Sequence, residues 1–238
     1  MLLSIFPFEK DWYAARVPQL RVEFVGHPMI ERYGDLRDQP RDENLSSPPV
    51  LLLLPGSRPA ELKRHLPVML PALKLIQAAL PNLRARMVLP SETILKLARD
   101  FPLPSGLEAV CGGLADALAA ADVAIASTGT VTMECAFFGV PAVTIYKTSW
   151  STYQIGKRLV RVKSLTMPNL MANAEVYPEF IQEAATPENI SGAALELLRD
   201  PTRRAKIKAQ LAEIIASLGG PGAGQRAARA ITDLLEKR

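Results

Sequence analysis

The sequence is poor in the residues that build disulfide frameworks and metal centres. Its 238 residues include two cysteines and two histidines, and these four side chains are scattered along the chain. A disulfide scaffold or a Cys/His metal cluster needs more of these residues at close spacing. We therefore expect no tightly bound metal and no cofactor, and a reducing cytoplasm is the simplest setting for the two thiols.

Long hydrophobic runs are also absent. No apolar stretch approaches the ~20 residues of a transmembrane helix. The N-terminus lacks a basic region and reaches Glu9 too early for a signal peptide. A net charge of +4 is too small to indicate a nucleic-acid partner. With 48% hydrophobic and 22% charged residues, the composition is that of a globular protein of one large or two small domains.

One stretch, residues 122–141, has the pattern of a nucleotide-binding βα unit. It predicts a buried strand (122–126), a polar turn (Ser127, Thr128, Gly129, Thr130), a helix (131–138) that Thr130 caps, and another strand (140–145). Free N–H groups and the helix dipole attract an anion to such a turn. Glu134 lies one helical turn further on and could accept hydrogen bonds from both hydroxyls of a ribose. An ordinary crossover with a solvated Glu134 explains these residues equally well.

A second turn of the same kind follows the apolar strand 50–54. Here Gly56 allows close backbone approach, Ser57 offers a capping oxygen, and Arg58 can grip an anion bidentately. Glu61 stands where a carboxylate complements the helix dipole. Pro67 predicts that a short helical turn ends at 65–66 and that a longer helix covers 67–80.

Strands and helices alternate between these turns and beyond them. The five predicted strands cover 50–54, 83–89, 107–111, 122–126 and 140–145, with helices over 91–100 and 114–121. This alternation predicts an α/β fold with a Rossmann-like, doubly wound parallel sheet. Ligands of such sheets bind beyond the carboxyl ends of the strands, where both polar turns lie. We therefore expect the two turns to meet in one crevice.

The flanking segments are less regular. Residues 2–6 predict a strand with nothing to pair with, 22–25 another short strand, and 37–49 a linker. The pattern of residues 155–162 predicts a basic helical segment, either an interfacial patch for anionic lipid or a solvated helix face. Asn169 falls in a strand end or loop at 165–171. Three helices are predicted over 187–199, which Thr186 caps, 202–217 and 224–236.

Taken in order, these motifs resemble those of lipid-A-disaccharide synthase. The resemblance covers nearly the whole chain, and the residues that carry it are Pro7-Phe-Glu9, Tyr13, Val25-Gly-His-Pro28, Leu54-Pro-Gly-Ser-Arg58, Glu61, Ser127-Thr-Gly-Thr130, Glu134 and Pro168-Asn-Leu170. It implies an inverting glycosyltransferase of the GT-B fold, of which the sheet would be the C-terminal half. Such an enzyme joins UDP-2,3-diacylglucosamine to 2,3-diacylglucosamine 1-phosphate through a β(1→6) link and releases UDP. It would work at the cytoplasmic face of the inner membrane, bound peripherally to the membrane surface.

The resemblance also implies a division of the chain. Residues 1–49 would be the end of an N-terminal acceptor domain, otherwise missing, plus a linker. Residues 50–218 would be the domain that binds the UDP-sugar donor, and 219–238 a helix that returns to the N-terminal domain. The catalytic base is expected in the missing domain, which a complementing N-terminal half would supply; a homodimer is the other expected assembly.

The resemblance assigns roles to the polar residues of the donor domain. Arg58 would face the diphosphate, the 127–130 turn would hold phosphate, and Glu134 would take the ribose; Arg58 and Asn169 would support catalysis. The predicted substrate-binding residues are Gly56, Ser57, Arg58, Ser127, Thr128, Gly129, Thr130, Glu134 and Asn169. Two alternatives stay open: an inactive UDP-sugar-binding module, and a UDP-sugar epimerase of similar architecture.

Overall fold

A computed structural model describes residues 1–37, 48–149, 153–154 and 163–236. The chain forms two compact units, Met1–Arg41 with Ala212–Arg238, and Asp42–Leu211. The predicted basic segment 155–162 and most of the predicted linker 37–49 lie outside the described residues. In chain order the elements are β1 (Leu2–Ser4), α1 (Pro7–Ala14), β2 (Val22–Phe24), α2 (Met29–Arg37), β3 (Val50–Leu54), α3 (Pro59–Ala79), β4 (Arg84–Leu89), α4 (Glu92–Arg99), β5 (Leu107–Cys111), α5 (Leu114–Ala120), β6 (Val123–Ser127), α6 (Thr130–Phe137), β7 (Ala142–Tyr146), α7 (Met167–Ala172), β8 (Glu179–Ile181), a 3-10 turn (Gln182–Ala184), α8 (Pro187–Arg199), α9 (Pro201–Ser217) and α10 (Ala223–Glu236).

The larger unit is built on a parallel sheet of six strands in the order β5-β4-β3-β6-β7-β8. β3 and β6 lie at its centre and pair with Leu51 opposite Val123. β3 is fully apolar and β6 is apolar up to Ser127, because helices cover both faces of such a sheet, and Leu51, Leu52 and Leu53 are completely buried. The strand order reverses between β3 and β6, so the carboxyl ends of these strands flank a crevice. The predicted Rossmann-like, doubly wound sheet is confirmed.

The sixth strand was not predicted. β8 is three residues long and pairs with β7 at the edge of the sheet, with Ile145 opposite Phe180. A strand this short carries too little alternation to stand out from a loop. The prediction of a strand end or loop at 165–171 is also wrong, because α7 begins there at Met167 with Pro168 in its first turn.

Helix α3 runs unbroken through two prolines. The predicted break before Pro67 is wrong, since both Pro67 and Pro71 lie inside the helix. A proline ring leaves the carbonyl four residues earlier without its usual partner. Lys63, Pro67 and Pro71 all lie on the exposed face, where water can bond the freed carbonyls, while the opposite face is buried. Burial of that apolar face keeps the helix whole.

The smaller unit contains a second parallel pair. β1 was predicted to have nothing to pair with, but it pairs with β2, and Leu2 stands opposite Val22. α1 forms the crossover between them. In the same unit, the Arg226 side chain of α10 donates from Nε to Val25 O (2.7 Å). The sequence pattern does not show this pairing, because β1 and β2 have three residues each and α1 lies between them in the chain.

Candidate functional site

A cavity of about 420 Å³ opens at the carboxyl ends of β3, β4, β5 and β6. It brings the two polar turns together, as the sequence predicted. The predicted residues that line it are Gly56, Ser57, Arg58, Ser127, Thr128, Gly129, Thr130 and Glu134, and Glu61 joins them. The two turns of the site are therefore separated in the sequence by the whole stretch 62–126.

The turn after β6 presents open backbone amides to this cavity. Gly129 has a φ of 138°, a region that favours glycine, and it occupies the position before the helix. The prediction that Thr130 caps the helix is wrong, because Thr130 is the first helical residue and Thr132 Oγ1 instead donates to Gly129 O (2.7 Å). The first amides of a helix have no acceptor within it. Those of Thr130 and Val131, both lining residues, are placed to bind an anion.

The turn after β3 is closed by its own helix. Glu61 Oε2 accepts hydrogen bonds from the amides of Ser57 (2.7 Å) and Arg58 (3.2 Å). The prediction that Ser57 caps α3 is wrong, since Arg58 holds the cap position and the Glu61 carboxylate satisfies the amides. Gly56 has a φ of 123°, and a Cβ there would lie 2.8 Å from Glu61 Cβ. Glycine is required because the carboxylate occupies that space.

Arg58 supplies the charge that this turn offers. Its guanidinium lies 3.4 Å from Glu61 Oε1, and the side chain is 80% exposed. An exposed pair of this kind holds its members weakly, so the guanidinium can turn to a ligand. The turn after β3 thus contributes a mobile cation to the cavity, while the turn after β6 contributes fixed amides.

Glu134 lies one helical turn beyond Thr130 and lines the same cavity. Directly behind it, Cys135 is fully buried, and its thiol pKa is raised far above the ordinary value, first by burial and then by the negative charge of Glu134. A thiol held protonated in this way is unreactive. Of these two neighbouring residues, Glu134 lines the cavity and Cys135 does not.

The cavity also has an apolar wall that sequence reasoning missed. It is formed where β4 and β5 end, by Val88, Leu89, Pro90, Gly112 and Leu114. A flat, largely apolar group such as a nucleobase suits this wall better than a phosphate does. The position of β4 could have predicted this wall. β4 lies beside β3 in the sheet, so its carboxyl end must border the same crevice.

Asn169 is the one predicted site residue that the structure does not bring to the cavity. It is 2% exposed, and its side-chain oxygen accepts from the amides of Val176 (2.9 Å) and Tyr177 (2.8 Å). Its side-chain nitrogen donates to Tyr177 O and to Glu179 Oε1, both at 2.8 Å. With donors and acceptors thus engaged, Asn169 fastens α7 to β8. The hydrogen bonds of Asn169 give it a role inside the protein, and its predicted part in substrate binding stays a prediction.

Two further features of the described residues bear on function. Within residues 1–37, 48–149, 153–154 and 163–236, no three metal-ligating side chains of His, Cys, Asp or Glu come together. In the same part of the chain, no helix combines the length and hydrophobicity that a membrane span requires.

Comparison with known proteins supports the sequence resemblance. The family described as lipid-A-disaccharide synthetase matches residues 1–232. The lipid-A-disaccharide synthase of Syntrophus aciditrophicus is 36% identical over an alignment of 242 positions that covers 98% of this chain and 62% of that protein. That of Geobacter metallireducens is 37% identical over 245 residues, again 98% and 62%. The chain thus spans about 62% of the length of these curated relatives.

A solved structure agrees at the level of the fold. The calicheamicin glycosyltransferase CalG4 superposes with a TM-score of 0.55 at 20% sequence identity, covering 99% of this chain and 53% of that one. The predicted GT-B fold class is confirmed by this likeness and by the parallel sheet. On the family match over 232 residues and the identity to curated relatives, the chain belongs to the lipid-A-disaccharide synthase family.

Proposed function

We propose that the larger unit binds the UDP-sugar donor of a glycosyl transfer reaction. The single observation that carries this proposal is the convergence, in one cavity, of open amides at 130–131, the Arg58 guanidinium and the Glu134 carboxylate. Amides and a cation suit a diphosphate. A carboxylate repels phosphate but accepts hydrogen bonds from the two hydroxyls of a ribose. The apolar wall beside them has the character that a nucleobase needs.

The chemistry follows from that arrangement. In an inverting transfer, a hydroxyl of the acceptor attacks the anomeric carbon of the donor, and the bond from that carbon to the diphosphate breaks. Negative charge then builds up on the departing UDP. Arg58 and the N-terminus of α6 stabilise this charge, which lowers the barrier to bond cleavage. The proton of the attacking hydroxyl needs a base, which the sequence predicts in an N-terminal acceptor domain.

Membership of the family supplies the proposed substrates. The donor is UDP-2,3-diacylglucosamine and the acceptor 2,3-diacylglucosamine 1-phosphate, and the products are lipid A disaccharide 1-phosphate and UDP. Because both substrates carry acyl chains, the reaction is proposed to take place at the cytoplasmic face of the inner membrane, with the protein bound peripherally. An N-terminal acceptor domain, in cis or as a separate half, is the proposed partner.

A titration with UDP tests the proposal directly. Calorimetry with the purified chain should show one site for UDP and much weaker binding of uridine, because uridine lacks the phosphates that the two turns hold. If UDP does not bind, or binds no better than uridine, the assignment of the cavity is wrong.

A turnover assay then tests where the catalytic base lies. We expect the chain of 238 residues to form no disaccharide from the two lipid substrates by itself. General-base catalysis typically contributes ~10²–10⁴-fold, and the acceptor must also be positioned. Robust turnover by the chain alone would show that the base and the acceptor site are present in it.

The alternatives remain distinguishable by experiment. An inactive UDP-sugar-binding module would bind UDP but gain no activity when an acceptor domain is added. An epimerase would convert a UDP-sugar without any acceptor. No observation on the cavity favours either over the transferase.

A further inference from the structure

His65 is buried directly behind the turn that follows β3. It lies in α3 and is 2% exposed. Its Nδ1 is 2.6 Å from Pro55 O, and its Nε2 is 3.2 Å from the amide nitrogen of Lys147. A carbonyl accepts and an amide donates, so Nδ1 carries the hydrogen and Nε2 is the acceptor. These two contacts define a neutral imidazole in a single tautomer.

The surroundings keep this ring neutral. Burial is the largest influence and lowers the pKa of His65 below its ordinary value of 6.5, and the charge of Arg64 acts in the same direction. The Pro55 carbonyl and the Glu61 carboxylate oppose it. A proton on Nε2 would also face the Lys147 amide, donor against donor. The Lys147 ammonium group is engaged elsewhere, with Gln182 O (2.7 Å).

The far side of the ring leads to Gln182, which fixes the segment after β7. Its Oε1 accepts from the Thr148 amide (2.8 Å), and its Nε2 donates to Thr148 O (3.3 Å). Gln182 has a φ of +52°, a backbone conformation that residues other than glycine adopt only at a cost in energy. A strained backbone conformation persists only where many surrounding contacts hold it in place, and such residues concentrate at functional sites. Gln182 is held in this conformation by the contacts that grip the 147–148 segment.

The near side of the ring leads to the cavity. The carbonyl that His65 binds belongs to the peptide bond between Pro55 and Gly56, and Gly56 lines the cavity. The ring therefore fixes the orientation of the first peptide of the turn. None of His65, Lys147 and Gln182 is among the lining residues of that cavity. Any influence they have on a ligand must pass through this peptide.

We propose that His65 is a positioning residue that joins the nucleotide turn after β3 to the segment after β7, so that binding in the cavity is linked to the grip of Gln182 on the 147–148 segment. The link to a nucleotide rests on the proposed function, whereas the tautomer and the hydrogen bonds do not. Because linkage is reciprocal, loosening that grip weakens nucleotide binding, and nucleotide binding alters the environment of the ring.

Imidazole ¹⁵N NMR of the intact chain tests the first half of this proposal without any activity assay. The chain has two histidines, so the spectrum is simple. His65 should show hydrogen on Nδ1. His27 is the internal control, and it should show hydrogen on Nε2, because its Nδ1 accepts from the Met29 amide (3.1 Å). Hydrogen on Nε2 of His65, or titration of His65 near pH 6.5, would overturn the proposal.

Addition of UDP tests the second half. The His65 ring signals and the Lys147 amide signal should shift on saturation, while the His27 ring signals stay in place. Replacing Gln182→Gly keeps the backbone conformation and removes the side-chain hydrogen bonds, and UDP affinity should fall about two- to tenfold. Gln77→Ala is the matched control, since Gln77 also bonds a loop carbonyl, Ser105 O (2.9 Å), and should leave affinity unchanged.

Conservative replacement separates positioning from mere stability. His65→Gln keeps a donor and an acceptor, so at pH 7.5 it should bind UDP more tightly than His65→Leu, which keeps neither. Unshifted His65 and Lys147 signals at saturating UDP, or equal affinities for wild type and Gln182→Gly, would overturn the proposal while leaving the nucleotide site intact. Failure of the wild type to bind UDP would instead contradict the proposed function.

Discussion

The two turns that meet in the cavity follow the same sequence pattern and end in different states. Each follows a buried central strand, contains a glycine with φ above 120°, and opens a helix. After β3, the amides of the turn are taken by Glu61. After β6, the third helical residue is Thr132, which bonds back to Gly129. A side chain of the protein bonds the amides of one turn, whereas the first amides of the other turn line the cavity.

The difference comes from a single position. Glu61 is the third residue of α3, where a carboxylate reaches back to the residues that precede the helix. In α6 the acidic residue, Glu134, is the fifth, and it faces the cavity instead. A shift of two residues therefore separates a carboxylate that caps its helix from one that can meet a ligand.

The largest expected effect is a loss of unfolding free energy when the glycine of either turn is replaced. Gly56→Ala and Gly129→Ala both place a side chain at positive φ, which costs about 1–3 kcal/mol of unfolding free energy. A Cβ at position 56 would also displace the Glu61 carboxylate, whereas nothing lies within 4 Å of one at position 129. Losing a helix cap costs about 0.5–2 kcal/mol more.

Urea unfolding of both variants measures this difference. Gly56→Ala should be the less stable, and combining it with Glu61→Ala should add little further loss, since the cap is already displaced. Equal losses in the two glycine variants would mean that Glu61 moves aside freely and that the first turn is not closed.

The next effect concerns charge. Arg58→Ala should weaken UDP binding by about tenfold to a hundredfold, because a charge-assisted hydrogen bond is worth roughly 1.5–3 kcal/mol. Uridine binding should not change, since uridine carries no phosphate. Arg84→Ala is the control, because Arg84 opens β4 at the end opposite the cavity. Calorimetry with both ligands decides, and an equal loss for UDP and uridine would make Arg58 structural.

The position of the cavity could be predicted from the sequence because local residue patterns mark where strands end, and the cavity lies at the carboxyl ends of the strands. The alternation of strands and helices gave the sheet and both turns, and Gly56 and Gly129 were identified from turn chemistry alone. What failed depended on tertiary contacts. The helix through Pro67 survives because its opposite face is buried, and β8 forms because β7 offers an edge. Asn169 matched a motif, but motif membership does not tell a ligand contact from an internal one.

A smaller effect tests whether the Glu134 carboxylate contacts the ribose of a bound nucleotide. If its carboxylate accepts both ribose hydroxyls, Glu134→Gln should weaken UDP binding about fivefold, or roughly 1 kcal/mol, because an amide offers one acceptor. Binding of 2′,3′-dideoxy-UDP should stay nearly the same, since it has no hydroxyls to lose. A double-mutant cycle from calorimetry gives the coupling. A coupling near zero would mean that Glu134 does not meet the ribose.

The last expected effect is a loss of stability in acid to which His65, behind the closed turn, contributes. His65 supports the turn after β3 through Pro55 O, and its pKa is lowered by burial. Above pH 6.5 the ring is neutral in both folded and unfolded chains, and its contribution to stability is complete. As the pH falls below 6.5, the unfolded chain takes up a proton first, so stability declines until the folded ring is protonated as well, by at most about 1.4 kcal/mol per pH unit.

His27 must be removed from this measurement. Burial lowers the pKa of His27 too, so its titration would also make the protein less stable as the pH falls. Unfolding free energies of His27→Gln should therefore be compared with those of His27→Gln/His65→Gln between pH 7.5 and 5. The single variant should lose stability faster below pH 6.5, because the double variant has no imidazole left to titrate. Most carboxylates titrate below this range and act alike on both proteins, so the difference between the two curves isolates His65. Parallel curves would show that the pKa of His65 is the same in the folded and the unfolded chain, which contradicts its burial behind the closed turn.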